Sequence, residues 1–242
     1  MKTAVVVASI ALAGFALASG AAPLAREAAQ GADPAINRPF HDPDFDYWLG
    51  VFERDGREVY DRRGEIVEAV ELRQGMIVAD IGAGTGLFTR LFASAVGETG
   101  RVFAVDVSRS FVENIRRRAE ADGLQNVEGV VSTQTDVSLP PGIVDLAFLC
   151  DTYHHFEQPT VTLRSIHAAL RPGGQLVIVD FRRVAGESPD WVMGHVRAGK
   201  DAVIREVEAA GFRFIEERGF LRQNYFLRFE RITPVAHGGL AE

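Results

Sequence analysis

The segment CDTYHHFE, residues 150–157, concentrates side chains that can exchange protons directly after a short apolar run. Histidine is the side chain best suited to accept a proton near neutral pH, so His154 is our first candidate for a general base. Asp151 and Tyr153 are further catalytic candidates in the same segment. The alternative interpretation is structural: His154 supports a pocket through its backbone, and His155 packs on the following helix.

A second stretch whose residues suggest a chemical role is VADIGAGTGLFTR, residues 78–90, with glycines at positions 82, 84 and 86. Glycines after a buried strand permit a tight turn and close approach of a ligand, and the next helix offers free N–H groups at its start. A dinucleotide site requires G-x-G-x-x-G, but the third position of that pattern holds Leu87. Asp106, at the end of the next strand, can accept hydrogen bonds from both hydroxyls of a ribose. These features predict a nucleoside ligand without choosing its class.

Alternating strands and helices between residues 76 and 181 position both stretches. The predicted strands MIVADI, RVFAVDV, NVEGVVS, IVDLAFLCD and QLVIVDF are continuously apolar, which indicates burial on both faces and a parallel sheet with helices on either side. Two later strands, FRFIEERG and NYFLRFERI, are too close in sequence for a crossover and should pair antiparallel. Ligands of such sheets bind at the carboxyl ends of the strands, where both stretches fall.

The helices between these strands have clear boundary signals. The helix SRSFVENIRRRAEADG has Ser108 as its expected N-cap and Gly123 as its stop, and RPGG is expected to close the helix before QLVIVDF. Residues 45–72 roughly fit a helical stripe with charges on the opposite side. Their aromatic cluster of Phe45, Tyr47, Trp48 and Phe52 either packs on the domain or covers a ligand, and packing is the favoured interpretation.

Four segments stand in the order and spacing of a known family: VADIGAGTGLF, VFAVDV, IVDLAFLCDTYHHFE and ALRPGGQLVIVDF. Over roughly residues 58–232 the chain resembles class I S-adenosylmethionine-dependent methyltransferases, in particular the small-molecule, type 11/25-like branch. The resemblance implies an α/β, Rossmann-like, doubly wound sheet of seven strands, mostly parallel with an antiparallel C-terminal strand and helices on both faces. It also implies S-adenosyl-L-methionine as cofactor and a small-molecule methyl acceptor.

The resemblance assigns roles to the residues that match the family's motifs. Asp80 would organise the glycine loop and the amino acid end of the cofactor, Asp106 would hold the ribose hydroxyls, and Val107 would pack beside the adenine. Asp151 would begin a segment, ending at His154, that lines the methyl-donor side. Backbone contact with the cofactor is assigned to Gly82, Ala83, Gly84 and Gly86.

The chain departs from the family pattern after the third strand. Many members have an acidic residue there that accepts from the adenine amino group, whereas this chain offers Thr133 and Gln134, with Asp136 a little later. Three alternatives follow: Thr133 substitutes weakly, Asp136 reaches back, or the contact is lost.

Basic residues follow the fifth strand and could bind an anionic acceptor group such as a carboxylate or a phosphate. The predicted substrate-binding residues are Arg182, His195 and Arg197. The alternative is that Arg197 and Lys200 are the solvated start of the next helix.

No metal site is predicted from the sequence. His154, His155 and His195, with nearby carboxylates, offer ligand atoms. However, neighbouring histidines on a helix do not face one ion, and no H-x-x-x-H pattern occurs.

Composition and charge restrict the function classes further. A formal net charge of −7 and a pI of about 5.4 argue against a general nucleic-acid binder, which usually carries a basic face. Cys150 is the single cysteine, so no intramolecular disulfide can form, and its apolar neighbours indicate a small buried side chain. The oligomeric state cannot be deduced from these features.

The N-terminal sequence predicts export or anchoring. Residues 1–22 have a basic start, an apolar stretch and small residues at the end, which is the layout of a signal peptide or of an N-terminal anchor that would hold the domain near a membrane. Residues 23–42 predict a linker, 43–235 the methyltransferase domain with an N-terminal helical cap, and 236–242 a flexible tail. The domain would be cytoplasmic if the true start lies downstream. The alternative function is an exported, non-catalytic nucleoside-binding or scaffold protein.

Overall fold

A computed structural model of the chain describes residues 31–232. The predicted signal or anchor segment at 1–22 and the predicted tail at 236–242 lie outside the described residues. Within residues 31–232, no helix combines the length and the apolar character that a membrane span requires.

Seven strands form one sheet in the spatial order β3-β2-β1-β4-β5-β7-β6, which confirms the predicted fold. Strands β1 to β5 pair in parallel, and β7 lies antiparallel between β5 and β6. Strand order reverses between β1 and β4, so the carboxyl ends of these two strands open the crevice in which ligands of such sheets bind. The strands are β1 Ile77–Ile81, β2 Arg101–Asp106, β3 Val127–Val131, β4 Val144–Cys150, β5 Leu170–Phe181, β6 Phe212–Arg218 and β7 Asn224–Arg231.

Helices cover both faces of the sheet, as the apolar strands predicted. In β4, the successive residues Phe148 and Leu149 are both fully buried, but they belong to different core clusters on opposite faces. The α-helices are α1 Phe45–Phe52, α2 Glu58–Asp61, α3 Arg63–Val70, α4 Leu87–Val96, α5 Arg109–Ala121, α6 Pro159–Ala169, α7 Asp190–His195 and α8 Lys200–Ala209.

Local signals placed some helix ends correctly. The Ser108 hydroxyl accepts the backbone N–H of Phe111 at 3.3 Å and caps α5, as predicted. Gly123 follows the end of α5 with φ +71°, a conformation that glycine adopts without strain.

The predicted stop RPGG instead lies inside β5. Helix α6 already ends at Ala169, and Leu170 pairs with Val144 of β4. The pairing register shifts between Val144 and Leu146, and Gly173 has φ +72°. The strand therefore accommodates the Pro-Gly-Gly residues as an irregularity, and the pairing with β4 decides where the strand begins.

The N-terminal cap also differs from its prediction. Three helices, α1 to α3, replace the single helical stripe expected over residues 45–72. Part of the predicted linker is a 3-10 helix, Pro34–Phe40, in which the Asp33 side chain caps the first turn by accepting the backbone N–H of Ala35 at 2.9 Å. This 3-10 helix packs over the crevice, so residues 34–40 belong to the domain and not to a linker.

Candidate functional site

A cavity of about 560 Å³ opens at the carboxyl ends of β1, β2 and β4. This volume lies within the range of small-molecule and cofactor sites, roughly 300–1,000 Å³. One end is formed by the glycine turn after β1 and by Asp106 at the end of β2, and the other end by His154, His195 and Trp191. The two chemically suggestive stretches of the sequence therefore meet in one cavity.

The glycine turn holds its shape through backbone hydrogen bonds to the neighbouring strand. The N–H groups of Gly82 and Ala83 both donate to the carbonyl oxygen of Val105, at 2.8 and 3.1 Å. Gly82 has φ +70°, and a Cβ atom there would lie 2.3 Å from Cγ2 of Thr152. Only glycine fits this position, which leaves the backbone bare toward the cavity.

Gly86 has a different role from the predicted backbone contact. It does not line the cavity but forms the N-cap of α4 with φ +81°. A Cβ atom at this position would lie 2.9 Å from Cγ1 of Ile115. Gly86 therefore permits α4 and α5 to approach each other, while Gly82, Ala83 and Gly84 face the cavity.

Two buried carboxyl groups flank the turn. Asp80 accepts a hydrogen bond from the Thr89 hydroxyl at 2.6 Å, and burial raises the pKa of Asp80 to about 7. Asp106 accepts the backbone N–H groups of Gly84 and Ser108 at 2.9 and 2.8 Å. Burial raises the pKa of Asp106 to about 6, because it outweighs the opposing effect of these hydrogen bonds.

One of the three alternatives for the adenine contact, a reach of Asp136, does not agree with the structure. Thr133, Gln134 and Val107, the residues predicted to contact the adenine, line the cavity. The Asp136 carboxylate accepts from the Ser138 N–H at 2.7 Å and from a hydroxyl of α6 at 3.0 Å, so it is engaged away from the cavity. A reach of Asp136 toward an adenine is therefore not supported, and the polar residues of this segment that line the cavity are Ser132, Thr133 and Gln134.

A nucleoside cofactor fits this end of the cavity. A side chain has no room at Gly82, and Gly84 adopts φ +55° with little space beside Phe52. The carboxyl of Asp106 orders this turn while it lines the cavity. These are the features that close approach and ribose hydrogen bonding require.

At the other end of the cavity, a carboxylate holds the first candidate base. Asp180, the buried acid near the end of β5, has Oδ1 at 2.7 Å from Nδ1 of His154, and its Oδ2 accepts the backbone N–H of His154 at 3.0 Å. Burial alone would lower the pKa of His154, but the Asp180 carboxylate outweighs it and raises the pKa above its ordinary value. His154 is 3% exposed and lines the cavity, so its imidazole is oriented for proton exchange there.

Two further histidines lie beside His154. The centroid of the His155 ring is 4.2 Å from that of His154, and the centroid of His195 is 5.1 Å from His154 and 5.3 Å from His155. Nδ1 of His155 lies 2.8 Å from Oδ1 of Asn37. Burial, reinforced by His154 and His195, lowers the pKa of His155 to about 3, so this ring is neutral.

The spacing argument against a metal site assumed a regular helix at these residues. His154 and His155 instead belong to a short 3-10 helix, Tyr153–His155. One ring nitrogen from each of His154, His155 and His195 lies within 4.8 Å of the others. The argument from helical spacing therefore does not apply to these three histidines.

Tyr153 is not positioned for catalysis. It is buried outside the cavity lining, and its hydroxyl donates to Glu206 at 2.6 Å. Burial, together with the Glu206 charge, raises the pKa of Tyr153 well above its ordinary value.

The two arginines predicted to bind an anionic acceptor are engaged elsewhere. Arg182 pairs with Glu217 at 3.0 Å, and Arg197 pairs with Glu206 at 2.6 Å. Neither lines the cavity, since both guanidinium groups hold β6 or α8 in place. Of the three predicted substrate-binding residues, the structure brings His195 alone to the cavity.

Asp151 lies at the cavity but is fixed by two partners. Its carboxylate accepts from Arg57 at 2.7 Å and from the side-chain amide of Asn224 at 2.6 Å, and its backbone has φ +49°. Both oxygens are thus occupied, which favours a supporting role over proton transfer.

Aromatic side chains cover the end of the cavity near the histidines. The rings of Trp48 and Phe52 on α1 lie 5.0 Å apart between centroids, and Phe40 is 4.7 Å from Trp48. On the other side, Phe181 contacts Trp191 at 4.9 Å edge to face. The aromatic cluster predicted mainly to pack therefore also lines the cavity through Trp48 and Phe52.

An ion pair ties this cover to the glycine turn. Glu53, just after α1, accepts from the Thr85 hydroxyl at 2.8 Å and from Arg118 of α5 at 2.6 Å. Arg118 also donates to the Thr85 carbonyl oxygen at 2.7 Å. The cover is therefore fixed to the part of the turn that faces the cavity.

Several site residues were missed by sequence reasoning. Asp180 carries the signal that identified Asp106, an acid at the end of a buried strand, and could have been found by it. Asn37 and Arg57 gave no comparable signal, because their partners at the cavity are 118 and 94 residues away in sequence.

The strand order, the antiparallel β7 and the glycine turn beside Asp106 at the end of β2 define a class I methyltransferase fold. Residues 78–174 match a family model described as a methyltransferase domain. The fold and the order of the motifs are those of class I S-adenosylmethionine-dependent methyltransferases. The family match and the fold together imply S-adenosylmethionine as the cofactor.

Individual relatives agree with this assignment. A ubiquinone/menaquinone biosynthesis C-methyltransferase UbiE from Hydrogenovibrio crunogenus is 32% identical over 119 residues, which are 49% of this chain and 47% of that protein. The protein of the same name from Escherichia fergusonii is 29% identical over 118 residues, 48% of this chain and 47% of that protein. The chain spans about half the length of these curated relatives.

A solved structure shows the same fold over a longer stretch. A SAM dependent methyltransferase from Aquifex aeolicus has a TM-score of 0.68 at 24% sequence identity, covering 79% of this chain and 100% of that one. The likeness to this structure covers more of the chain than the family match does.

Proposed function

We propose that this protein transfers a methyl group from S-adenosylmethionine to a small, planar aromatic acceptor. The observation that carries the proposal is the single cavity that joins the glycine turn and Asp106 to a chamber lined by histidines and aromatic rings. A cofactor end and an acceptor end in one cavity is the arrangement that an in-line displacement needs, because both reactants must be aligned away from water.

The residues that would hold the cofactor are those of the glycine-turn end. Asp106 would accept from ribose hydroxyls, the turn at Gly82 and Gly84 would lie against the cofactor, and Asp80 would support its amino acid end. When bound, the cofactor supplies an electrophilic methyl group on a sulfonium. The protein's own contribution is alignment and exclusion of water.

Proton removal from the acceptor is assigned to His154. Its Nδ1 faces the Asp180 carboxylate, which leaves Nε2 as the nitrogen available for a proton. A carboxylate on the far nitrogen fixes the ring orientation and stabilises the protonated form, as in other acid–base pairs. Asp151 is not needed as a base, because Arg57 and Asn224 occupy its oxygens.

The lining favours an aromatic acceptor over an anionic one. Trp48, Phe52, Phe181 and Trp191 line the cavity, whereas Arg182 and Arg197, which were predicted to bind an anion, do not. Two other arginines, Arg54 and Arg57, do line it, and Arg57 is paired with Asp151. The relatives named for ubiquinone and menaquinone biosynthesis support the same choice. A phenol or quinol would use the rings for stacking and His154 for deprotonation.

The first experiment measures cofactor binding by calorimetry with residues 23–242, titrated separately with S-adenosylmethionine and NAD. We expect binding of S-adenosylmethionine alone, weakened at least about tenfold, or about 1.4 kcal/mol, in Asp106→Ala. No binding of S-adenosylmethionine would contradict the proposal and favour a non-catalytic scaffold.

The second experiment measures S-adenosylhomocysteine formation with matched acceptors. A phenol and a hydroquinone are compared with a benzoate and an aryl phosphate. Turnover with the first pair supports the aromatic acceptor, and turnover with the anionic pair alone would overturn it. Cofactor binding without turnover of any of these acceptors would favour the non-catalytic alternative, a nucleoside-binding protein.

A further inference from the structure

We propose that His154, His155 and His195 form a binding site for one divalent transition-metal ion, with Zn²⁺ as the reference ion, in the acceptor end of the cavity. One ring nitrogen from each residue lies within 4.8 Å of the other two. All three residues line the cavity, so an ion held by them would keep a coordination position open to a small molecule. The inference does not depend on methyl transfer.

The hydrogen bonds of two rings select the nitrogens that face the ion. Nδ1 of His154 is taken by Asp180 at 2.7 Å, and Nδ1 of His155 by the side chain of Asn37 at 2.8 Å. Nε2 is therefore the free nitrogen of both rings. Within residues 31–232, neither ring nitrogen of His195 has a hydrogen-bond partner, so its ligand atom is also available.

These hydrogen bonds have the form of an outer shell around a metal centre. Metal-binding histidines commonly bond through their second nitrogen to a carboxylate or an oxygen acceptor, which fixes the ring and raises its basicity as a ligand. Asp180 supplies a buried carboxylate to His154, and Asn37 supplies an amide oxygen to His155. Asn37 reaches His155 from 118 residues away, so the N-terminal 3-10 helix has a defined task at the site.

The donor set suits a borderline cation. Three imidazoles and one open position is a common catalytic arrangement for Zn²⁺, and imidazole also suits Co²⁺, Ni²⁺ and Cu²⁺. A tetrahedral ion with bonds of about 2.0 Å places its nitrogen ligands about 3.3 Å apart. The ring nitrogens that lie within 4.8 Å of one another must therefore close by up to about 1.5 Å. Rotation of the His195 side chain on the short helix α7 is the simplest way.

A bound ion and a base role for His154 are alternatives, because both use Nε2 of the same ring. A divalent ion in the chamber would polarise an acceptor oxygen and lower its pKa directly, which replaces the need for a base. The two states are therefore distinguished by whether methyl transfer survives removal of the ion.

The test uses the untagged full chain, freed of metal by dialysis against a chelator and kept without cofactor. Co²⁺ is added while visible d–d absorption is recorded, and Zn²⁺ is titrated by calorimetry and used to displace Co²⁺. We expect one ion per chain and a Co²⁺ spectrum of low coordination number. His195→Ala and His155→Ala should each weaken binding at least about tenfold, and Asn37→Ala by about tenfold.

His167→Gln is the matched control, because His167 lies on α6 and contacts the carbonyl oxygen of Ile232 instead of the cavity. It should bind the ion as the unaltered protein does. Thermal unfolding of each variant confirms that it is folded. Absence of uptake with the ion in large excess, or uptake unchanged in both His195→Ala and His155→Ala, would overturn the proposal. Failure of methyl transfer would leave these readouts unaffected.

Discussion

The Asp180 carboxylate makes two contacts with His154: one oxygen lies 2.7 Å from Nδ1 of the ring, and the other accepts the backbone N–H of the same residue at 3.0 Å. Asp180 also accepts the N–H of Phe181 at 2.7 Å, and it is fully buried. The carboxylate thus fixes both the ring and the backbone of one residue at the acceptor end of the cavity.

The Asp180→Asn variant tests whether the contacts between Asp180 and His154 contribute to catalysis. The amide can still accept from His154 through one atom, but it places an N–H group against a backbone donor. We expect a loss of about 1–3 kcal/mol in unfolding free energy and a fall in kcat of at least about tenfold. The dissociation constant of S-adenosylmethionine, measured by calorimetry, should stay within about twofold, since Asp180 does not contact the glycine turn. An equal loss in cofactor binding and turnover would indicate a structural role only.

The pH dependence of cofactor binding follows from Asp106. Burial raises its pKa to about 6, so the cofactor-free protein binds a proton there below that pH. A ribose bound through the carboxylate requires the proton to leave, and affinity should therefore fall by up to about tenfold per pH unit below pH 6. Calorimetry across this range should show the slope in the unaltered protein and a weak, flatter dependence in Asp106→Asn. A parallel slope in both proteins would contradict the assignment.

Asp80 predicts a pH dependence of folding stability. Its pKa rises from 3.8 to about 7 on folding because of burial, so the folded state holds a proton that the unfolded state has already lost. Stability should fall as the pH rises through this window, by at most about 1.4 kcal/mol per pH unit, and level off above it.

The comparison with Asp80→Asn isolates this effect from other titrating groups, because the amide keeps an acceptor for Thr89. Urea unfolding at about pH 5 and about pH 8 should show the variant gaining stability relative to the unaltered protein at the higher pH. An unchanged difference between the two pH values would show that Asp80 is ionised throughout.

The sequence predicted the parts of this protein that depend on local patterns. The N-cap at Ser108, the bare turn at Gly82 and the acid at Asp106 each follow from a few neighbouring residues. The antiparallel pairing of β7 followed from the short connection alone. The RPGG stop failed because pairing of Leu170 with Val144 outweighed the local preference of these residues for a helix end.

What sequence reasoning could not supply is contact between distant segments. Asn37 reaches His155 and Arg57 reaches Asp151 across 118 and 94 residues, and no spacing rule connects them. The grouping of His155 with His195 is of the same kind, since it depends on how α7 packs beside the 3-10 helix. Such contacts arise from tertiary packing, and each had an ordinary local interpretation in the sequence.

The glycine turn allows a controlled test of steric exclusion. Gly82 and Gly142 both have φ +70°, but a Cβ atom at Gly82 would meet Thr152 at 2.3 Å, whereas none lies within 4 Å at Gly142. Gly142→Ala carries the backbone strain alone, about 1 kcal/mol, and should bind S-adenosylmethionine normally. Gly82→Ala should lose several-fold more stability and cofactor binding, because Thr152 or the turn must move. If Gly82→Ala and Gly142→Ala lose the same free energy of unfolding in denaturant, the clash with Thr152 is relieved without cost.

Removal of an aromatic ring at the acceptor end of the cavity should weaken acceptor binding and leave cofactor binding unchanged. Trp191 lines the cavity, is 54% exposed and meets Phe181 edge to face at 4.9 Å. Trp191→Ala should raise the KM of an aromatic acceptor roughly fivefold, which corresponds to about 1 kcal/mol of lost ring contact. Tyr47→Ala is the matched control, since Tyr47 is a similarly exposed ring (62%) outside the cavity lining and should leave KM unchanged. Initial rates over a range of acceptor concentrations measure both variants. A rise in the cofactor dissociation constant of Trp191→Ala, with no change in KM, would place the acceptor elsewhere in the cavity.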